Sequence, residues 1–140
     1  MAKFATPMRD PSQFASAFTR WVYEEVPVKM YFADVDGLAY AKSHQCMRGF
    51  EWKYPDARLS PGQRAILPLL DRMMDSGRLL GWLAPDSGVY VIRGTPPFTD
   101  GAWVEQPWVP RRAWVSYDDL LRLLSCQPYP DLWAASPADG

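Results

Sequence analysis

Asp36, Glu51 and Lys53 are the residues of this chain whose types and spacing could do chemistry. They sit in two apolar, aromatic-rich runs, residues 28–40 and 46–54, of the kind that forms strands. Successive strand residues point to opposite faces, so Glu51 and Lys53 share one face while Phe50, Trp52 and Tyr54 share the other. A carboxylate and an ammonium on one face, backed by an aromatic row, make a polar pocket beside a core. With a second carboxylate from a neighbouring strand, that pocket could hold a hard divalent cation, which takes a few carboxylate oxygens and keeps several waters. A cation-activated water beside an anionic phosphodiester is a hydrolytic site.

Capping residues and periodicity give the elements that must position this set. Residues 1–11 read as a lead-in. Ser12 can cap a helix over 13–26, closed by Pro27. On its wheel Glu25 falls within the apolar arc of Phe18 and Val22, whereas Glu24 falls outside it. The two strand runs follow, joined by Lys42-Ser43-His44-Gln45. Ser60-Pro61-Gly62-Gln63 then opens a helix with a capping box that needs no catalysis to explain it. Ile66, Leu67, Leu70, Met73 and Met74 supply the apolar face of that helix, and Gly77 is its expected stop. Residues 78–84 are mostly apolar and predict an interior strand, and Asp86-Ser87-Gly88 turns the chain into another over 89–93. The proline-rich stretch 94–112 predicts a loop or short hairpin, 113–115 an edge strand, and Ser116 a cap for a helix over 117–125. Residues 127–140 predict a frayed tail. The result is one domain over 1–140, with its core in residues 12–93.

An Asp on one strand, Glu-x-Lys on the next and a Ser-Pro-Gly-Gln helix start form an ordered set that resembles the PD-(D/E)XK nuclease superfamily, over residues 14–85. The Asp34-Val35-Asp36-Gly37 strand followed by Phe50-Glu51-Trp52-Lys53 is similar to small phage and bacterial members, the virus-type replication-repair nucleases and Holliday-junction-resolvase-like proteins. The resemblance implies an α/β, restriction-endonuclease-like core: a central mixed sheet of about four strands flanked by helices, in the order α-β-β-β-α-β. It further implies that Asp36 and Glu51 bind Mg²⁺ or Mn²⁺ with the backbone carbonyl of Trp52. Lys53 would orient or activate the attacking water, and Gln63 would lie near the phosphate or its water shell. Members often add a glutamate from the first helix. Glu25 is the candidate, against the plainer reading of a boundary residue with its head in water. Asp34 shares a strand face with Asp36 and is either a second-metal ligand or the end of the strand. Residues 28–32 either form a short separate strand that bends into the next, or the core is abbreviated.

Composition bounds these readings. At 140 residues, 48% hydrophobic and 22% charged, the chain suits one globular domain with a core and not a disordered segment. No apolar stretch approaches a membrane span, and charges and prolines stand where a signal segment would be apolar. The expectation is a cytoplasmic protein, in a bacterial host cell if phage-encoded, with no membrane association. Cys46 and Cys126 make neither a disulfide framework nor a zinc cluster. The single histidine, His44, excludes zinc-protease and histidine-metal chemistry, and no Gly-rich phosphate loop is present.

A net charge of −1 runs against a free-standing DNA binder, because sequence-independent affinity comes from neutralising phosphates. Modest affinity for DNA, supplemented by a homodimer or a protein partner, is the expectation. Arg58 and Arg64, near the site in sequence, are the economical phosphate contacts. Trp103 and Trp108, with Arg111 and Arg112 behind them, could stack on splayed bases, cover the sheet edge or build an interface, and ordinary packing is the simplest reading. The expected function is metal-dependent DNA hydrolysis in replication, repair or recombination. The alternatives are a non-catalytic nucleic-acid-binding or regulatory module on the same fold, and a phage accessory protein that binds a host protein.

Overall fold

The computed structural model describes Trp21, Glu24, Glu25 and residues 35–134. These form an α/β domain around a five-stranded open mixed sheet, one strand more than the resemblance implies. The elements are β1 (Gly37–Ala41), β2 (Cys46–Lys53), α1 (Pro61–Leu79), β3 (Gly88–Arg93), β4 (Ala102–Gln106), β5 (Arg111–Val115) and α2 (Tyr117–Leu124). Spatial order follows chain order, β1-β2-β3-β4-β5. β1 and β2 form an antiparallel hairpin, α1 carries the chain across to β3 parallel to β2, and β4 and β5 add as antiparallel neighbours. Trp21, Glu24 and Glu25 are helical; the rest of the expected 13–26 helix, Asp34 and the proposed 28–32 strand lie outside the described residues.

The sheet buries a cluster on each face. On one, Leu67 and Met74 of α1 pack over Val89 and Val91, with Leu59 and Leu70 beside them. On the other, Leu120 and Leu123 of α2 pack over Phe50, Tyr90, Ile92 and Val104. Of the apolar residues expected to face inward from α1, Met73 instead projects into solvent. The tail also departs from expectation, since Tyr129 and Leu132 are buried in the α2-side cluster.

Residues 78–84 form no strand. Gly77 lies inside α1, where an added Cβ would come within 2.8 Å of Leu83 Cδ1, so its role is close packing and not termination. The helix ends one turn later at Gly81, whose φ of +78° is the left-handed conformation glycine tolerates. The Gly81 N–H donates to the Arg78 carbonyl at 3.1 Å and the Trp82 N–H to that of Gly77 at 2.9 Å, the double bond of a Schellman stop. The 94–112 stretch holds β4 and the start of β5, a hairpin joined by a turn between Pro107 and Pro110, and β5 runs on through the expected edge strand at 113–115.

Arg48 ties the layers together. Its side chain, 0% exposed, pairs with Asp86 Oδ2 at 2.9 Å and donates to the Asp86 carbonyl at 3.1 Å. It also donates to the carbonyls of Leu123 at 2.7 Å and Gln127 at 2.8 Å, just where α2 ends. Asp86 in turn accepts the Tyr129 N–H at 2.9 Å, which pins the segment after α2. Removing one partner of a buried ion pair leaves the other charge uncompensated. Arg48→Ala should therefore cost about 3–5 kcal/mol of unfolding free energy in urea titrations, and a loss below about 1 kcal/mol would show that these contacts do not anchor the sheet.

Candidate active site

The alternation read from the sequence holds in β2. Phe50 enters the α2-side cluster, while Glu51 turns to the α1 side and meets the start of that helix. Gly37 pairs with Phe50, so one step further along the hairpin Asp36 comes opposite Glu51. Opposed residues of an antiparallel pair project from the same face, which brings the two carboxyls together. Asp36 is fixed by accepting the Trp52 N–H on Oδ2 at 2.7 Å. In an extended strand a residue's N–H and C=O lie on the same edge. The Trp52 carbonyl, expected to complete the cation site, therefore faces the edge on which Asp36 sits.

Glu51 is 2% exposed. Its Oε1 accepts from Gln63 Nε2 at 2.9 Å. Gln63 does two jobs at once: its Oε1 accepts the Ser60 N–H at 2.9 Å, closing the capping box, while its amide N–H₂ reaches Glu51. The helix cap and the contact to the acid, which looked like alternatives in the sequence, are made by one side chain. Burial, then the hydrogen bond to Asp36 and the charge of Asp36, push the Glu51 carboxyl up from its ordinary 4.5 to about 8. Lys53 and Gln63 pull the other way with smaller effect. At neutral pH Glu51 thus keeps a proton and hydrogen-bonds to Asp36. Two carboxyls that cannot both ionise freely will either share a proton or take up a cation.

Other expected site residues fall around this pair. Lys53 is half-buried at the end of β2, on the same face as Glu51. Arg64, in the first turn of α1, and Arg58, in the loop before it, are exposed and free to meet a polyanion. Glu25 is helical and exposed. Among the described residues no group of three or more His, Cys, Asp or Glu side chains could hold a metal ion. Among the described residues the donor set is therefore two carboxyls and a carbonyl edge. That suits a hard cation such as Mg²⁺, which binds through one or two carboxylates and keeps several waters.

Sequence reasoning gave Arg48 no role, although its parity with Phe50 placed it on the core-facing side of β2. The two cysteines are buried and form no disulfide, and burial pushes the Cys46 thiol up to about 12, so it is no nucleophile at neutral pH. A cavity of about 570 Å³ is lined by Cys46, Asp86, Tyr90, Arg111 and Trp133. It lies at the opposite end of β2 from Glu51. No helix of the described residues is long and apolar enough to cross a membrane.

The raised Glu51 pKa carries a sign. Between 4.5 and about 8 the folded protein holds a proton that the unfolded chain has released. This contribution to stability is complete below 4.5, declines as pH rises through the window, and levels off above about 8. Wild-type unfolding free energy should fall by a few kcal/mol across that range, and Glu51→Gln should lose most of the decline. Denaturant titrations at stepped pH read both; parallel curves for the two proteins would mean that Glu51 titrates normally.

Compared with family models, with curated proteins and with solved structures, the chain matches none.

Proposed function

We propose that this chain is a metal-dependent nuclease of the PD-(D/E)XK type, hydrolysing DNA phosphodiesters in replication, repair or recombination. The observation that carries the reading is the meeting of the Asp36 and Glu51 carboxyls, ringed by Lys53 and Gln63. The element order supports it as well. An antiparallel hairpin, a crossover helix and a parallel strand follow one another, which is the β-β-α-β part of the implied order, with the acids at the carboxyl-terminal end of the parallel pair.

When bound, Mg²⁺ or Mn²⁺ supplies charge neutralisation and water activation. Asp36, Glu51 and the Trp52 carbonyl would hold the ion. The remaining work falls to the protein's own groups. Lys53 faces the same spot as Glu51 and would offset charge growing on the phosphoryl oxygens or hold the attacking water. Gln63 orients Glu51 through an amide that the helix start already fixes. Arg58 and Arg64 would seat flanking phosphates.

A second reading has one observation in its favour. The protonated Glu51 is already satisfied by Asp36 and Gln63 without any ion. A non-catalytic DNA-binding or regulatory module could keep the pair as a clasp between β1, β2 and α1.

A panel of duplex, branched, flapped and single-stranded DNA with Mg²⁺, Mn²⁺ or EDTA separates the two. Cleavage that needs the metal, is abolished by Asp36→Asn or Glu51→Gln and drops about a hundredfold or more in Lys53→Ala supports the enzyme. Binding without cleavage under every condition supports the module. Calorimetry in buffers of differing ionisation enthalpy adds a check free of turnover. Near pH 7, Mg²⁺ binding should release about one proton, because a ligating carboxyl must be deprotonated. The release should fade above pH 9 as Glu51, with its pKa of about 8, ionises by itself.

A further inference from the structure

The sheet face that bears Glu51 continues past α1 onto β4 and β5, and its composition changes there. Register pairs Lys53 with Arg93, Arg93 with Trp103, and Trp103 with Trp114. Cross-strand partners project from the same face, so an ammonium, a guanidinium and two indoles stand in one row across four strands. At ~4.8 Å per strand, the row is ~14 Å long. Arg112, paired with Glu105 in the next row, lays its guanidinium over the Trp103 ring at 3.7 Å. We infer that this row is a stacking track for an unpaired nucleic-acid strand, leading away from the Asp36–Glu51 pair. The identity of the reaction at its inner end rests on the nuclease reading; the track itself does not.

Trp114 carries most of the argument. It is 53% exposed, yet it is held from two sides. Its indole lies against Gly101, where an added Cβ would come within 3.2 Å of ring atoms Cε2 and Cζ2. It also meets Trp103 edge-on, with centroids 5.5 Å apart and planes at 78°. An exposed indole already fixed by its own fold loses little freedom when a flat ligand stacks on it. Hydrophobic burial does not explain the residue, because the core contacts of β5 come from Ala113 and Val115 on the other face.

The cations beside the indoles select the partner. A nucleic-acid strand presents aromatic faces and phosphates together, and on this face two adjacent indoles stand between Lys53 at the inner end of the row and Arg112 over Trp103. Arg93, between Lys53 and Trp103, pairs with Glu105 of the next row at 2.7 Å, so that pair adds no net charge to the track. In a duplex the base faces are covered by their neighbours, so an indole on a sheet face favours an unpaired strand. Continuity with Lys53 places such a strand's backbone at the candidate site.

Fluorescence anisotropy of labelled oligo(dT), its RNA counterpart and a duplex of equal length, in EDTA at several salt concentrations, tests this without any cleavage. Wild type should bind the single strands more tightly than the duplex. Trp114→Ala should weaken that binding about tenfold with an unchanged salt slope, because stacking releases no counterions, and Trp114→Phe should restore most of it. Arg112→Gln should reduce the log–log slope by about 0.7. Preference for DNA or for RNA identifies the strand. Melting curves confirm that the variants stay folded. The track is overturned if Trp114→Ala binds as wild type, if only duplex binds, or if Trp114→Ala alters self-association in sedimentation while leaving oligonucleotide binding intact. Trp114-dependent binding with no cleavage under Mg²⁺ or Mn²⁺ would leave the track standing and remove the nuclease reading. Metal-dependent cleavage indifferent to Trp114 would do the reverse.

Discussion

The position of β2 depends on one buried guanidinium. Arg48 donates to the Asp86, Leu123 and Gln127 carbonyls and pairs with the Asp86 carboxylate, so a single side chain joins β2, the turn that starts β3 and the end of α2. Only arginine offers enough donors in a rigid plane to do this; a lysine has three and no fork. The gain lies in placement more than in stability, since well-packed apolar residues often replace a buried pair without loss. The parallel register of β2 and β3 decides where Glu51 and Lys53 emerge beside Val91 and Arg93. A strand slipped by one residue would send both to the α2 side.

β2 therefore has two halves with different duties. Near its start, Arg48 and Cys46 are buried among groups that fix the sheet to the C-terminal segment. Toward its end, Glu51 is buried beside another acid, where its charge is costly and its proton is retained. The first arrangement is fully compensated, and among the described residues no buried polar side-chain atom lacks a partner. Glu51 is satisfied only through a proton. Burial first, and the neighbouring Asp36 second, hold that proton in place, and on the proposed reading a cation bound by both carboxyls would displace it.

Local physics was legible in the sequence and non-local physics was not. The facing of Glu51 and Lys53 follows from period two, and the start of α1 from Ser60, Pro61 and Gln63, all within a few residues. The mostly apolar run 78–84 reads as a strand because its composition fits one. Its conformation was set by Gly81, the position able to adopt the left-handed stop, and by Gly77 packing on Leu83. The proline-rich stretch 94–112 left loop and short hairpin open, because prolines mark turns on either side of β4 and only five residues lie between. The burial of Tyr129 and Leu132 depends on Asp86 and Arg48, far away in the chain, and no window of residues 127–134 contains that information.

The net charge of −1 weighs less against nucleic acid once the charges are placed. Of the acids, Asp86 is taken by Arg48 and Glu105 by Arg93, and Asp71 accepts the Val89 N–H and the Trp108 indole N–H. Glu51 carries a proton at neutral pH, which removes one negative charge from the site face. Lys53, Arg58, Arg64 and Arg112 lie on or beside that face, so the local balance differs from the whole-chain sum. Affinity for a polyanion depends on this local field, since charges farther off than about 10 Å are screened at ordinary salt. A surface with few cations must take more of its affinity from contacts that do not depend on charge. On the proposed reading, rigid exposed aromatics beside the site, such as the Trp114 indole held half-exposed on the outermost strand, would meet that requirement.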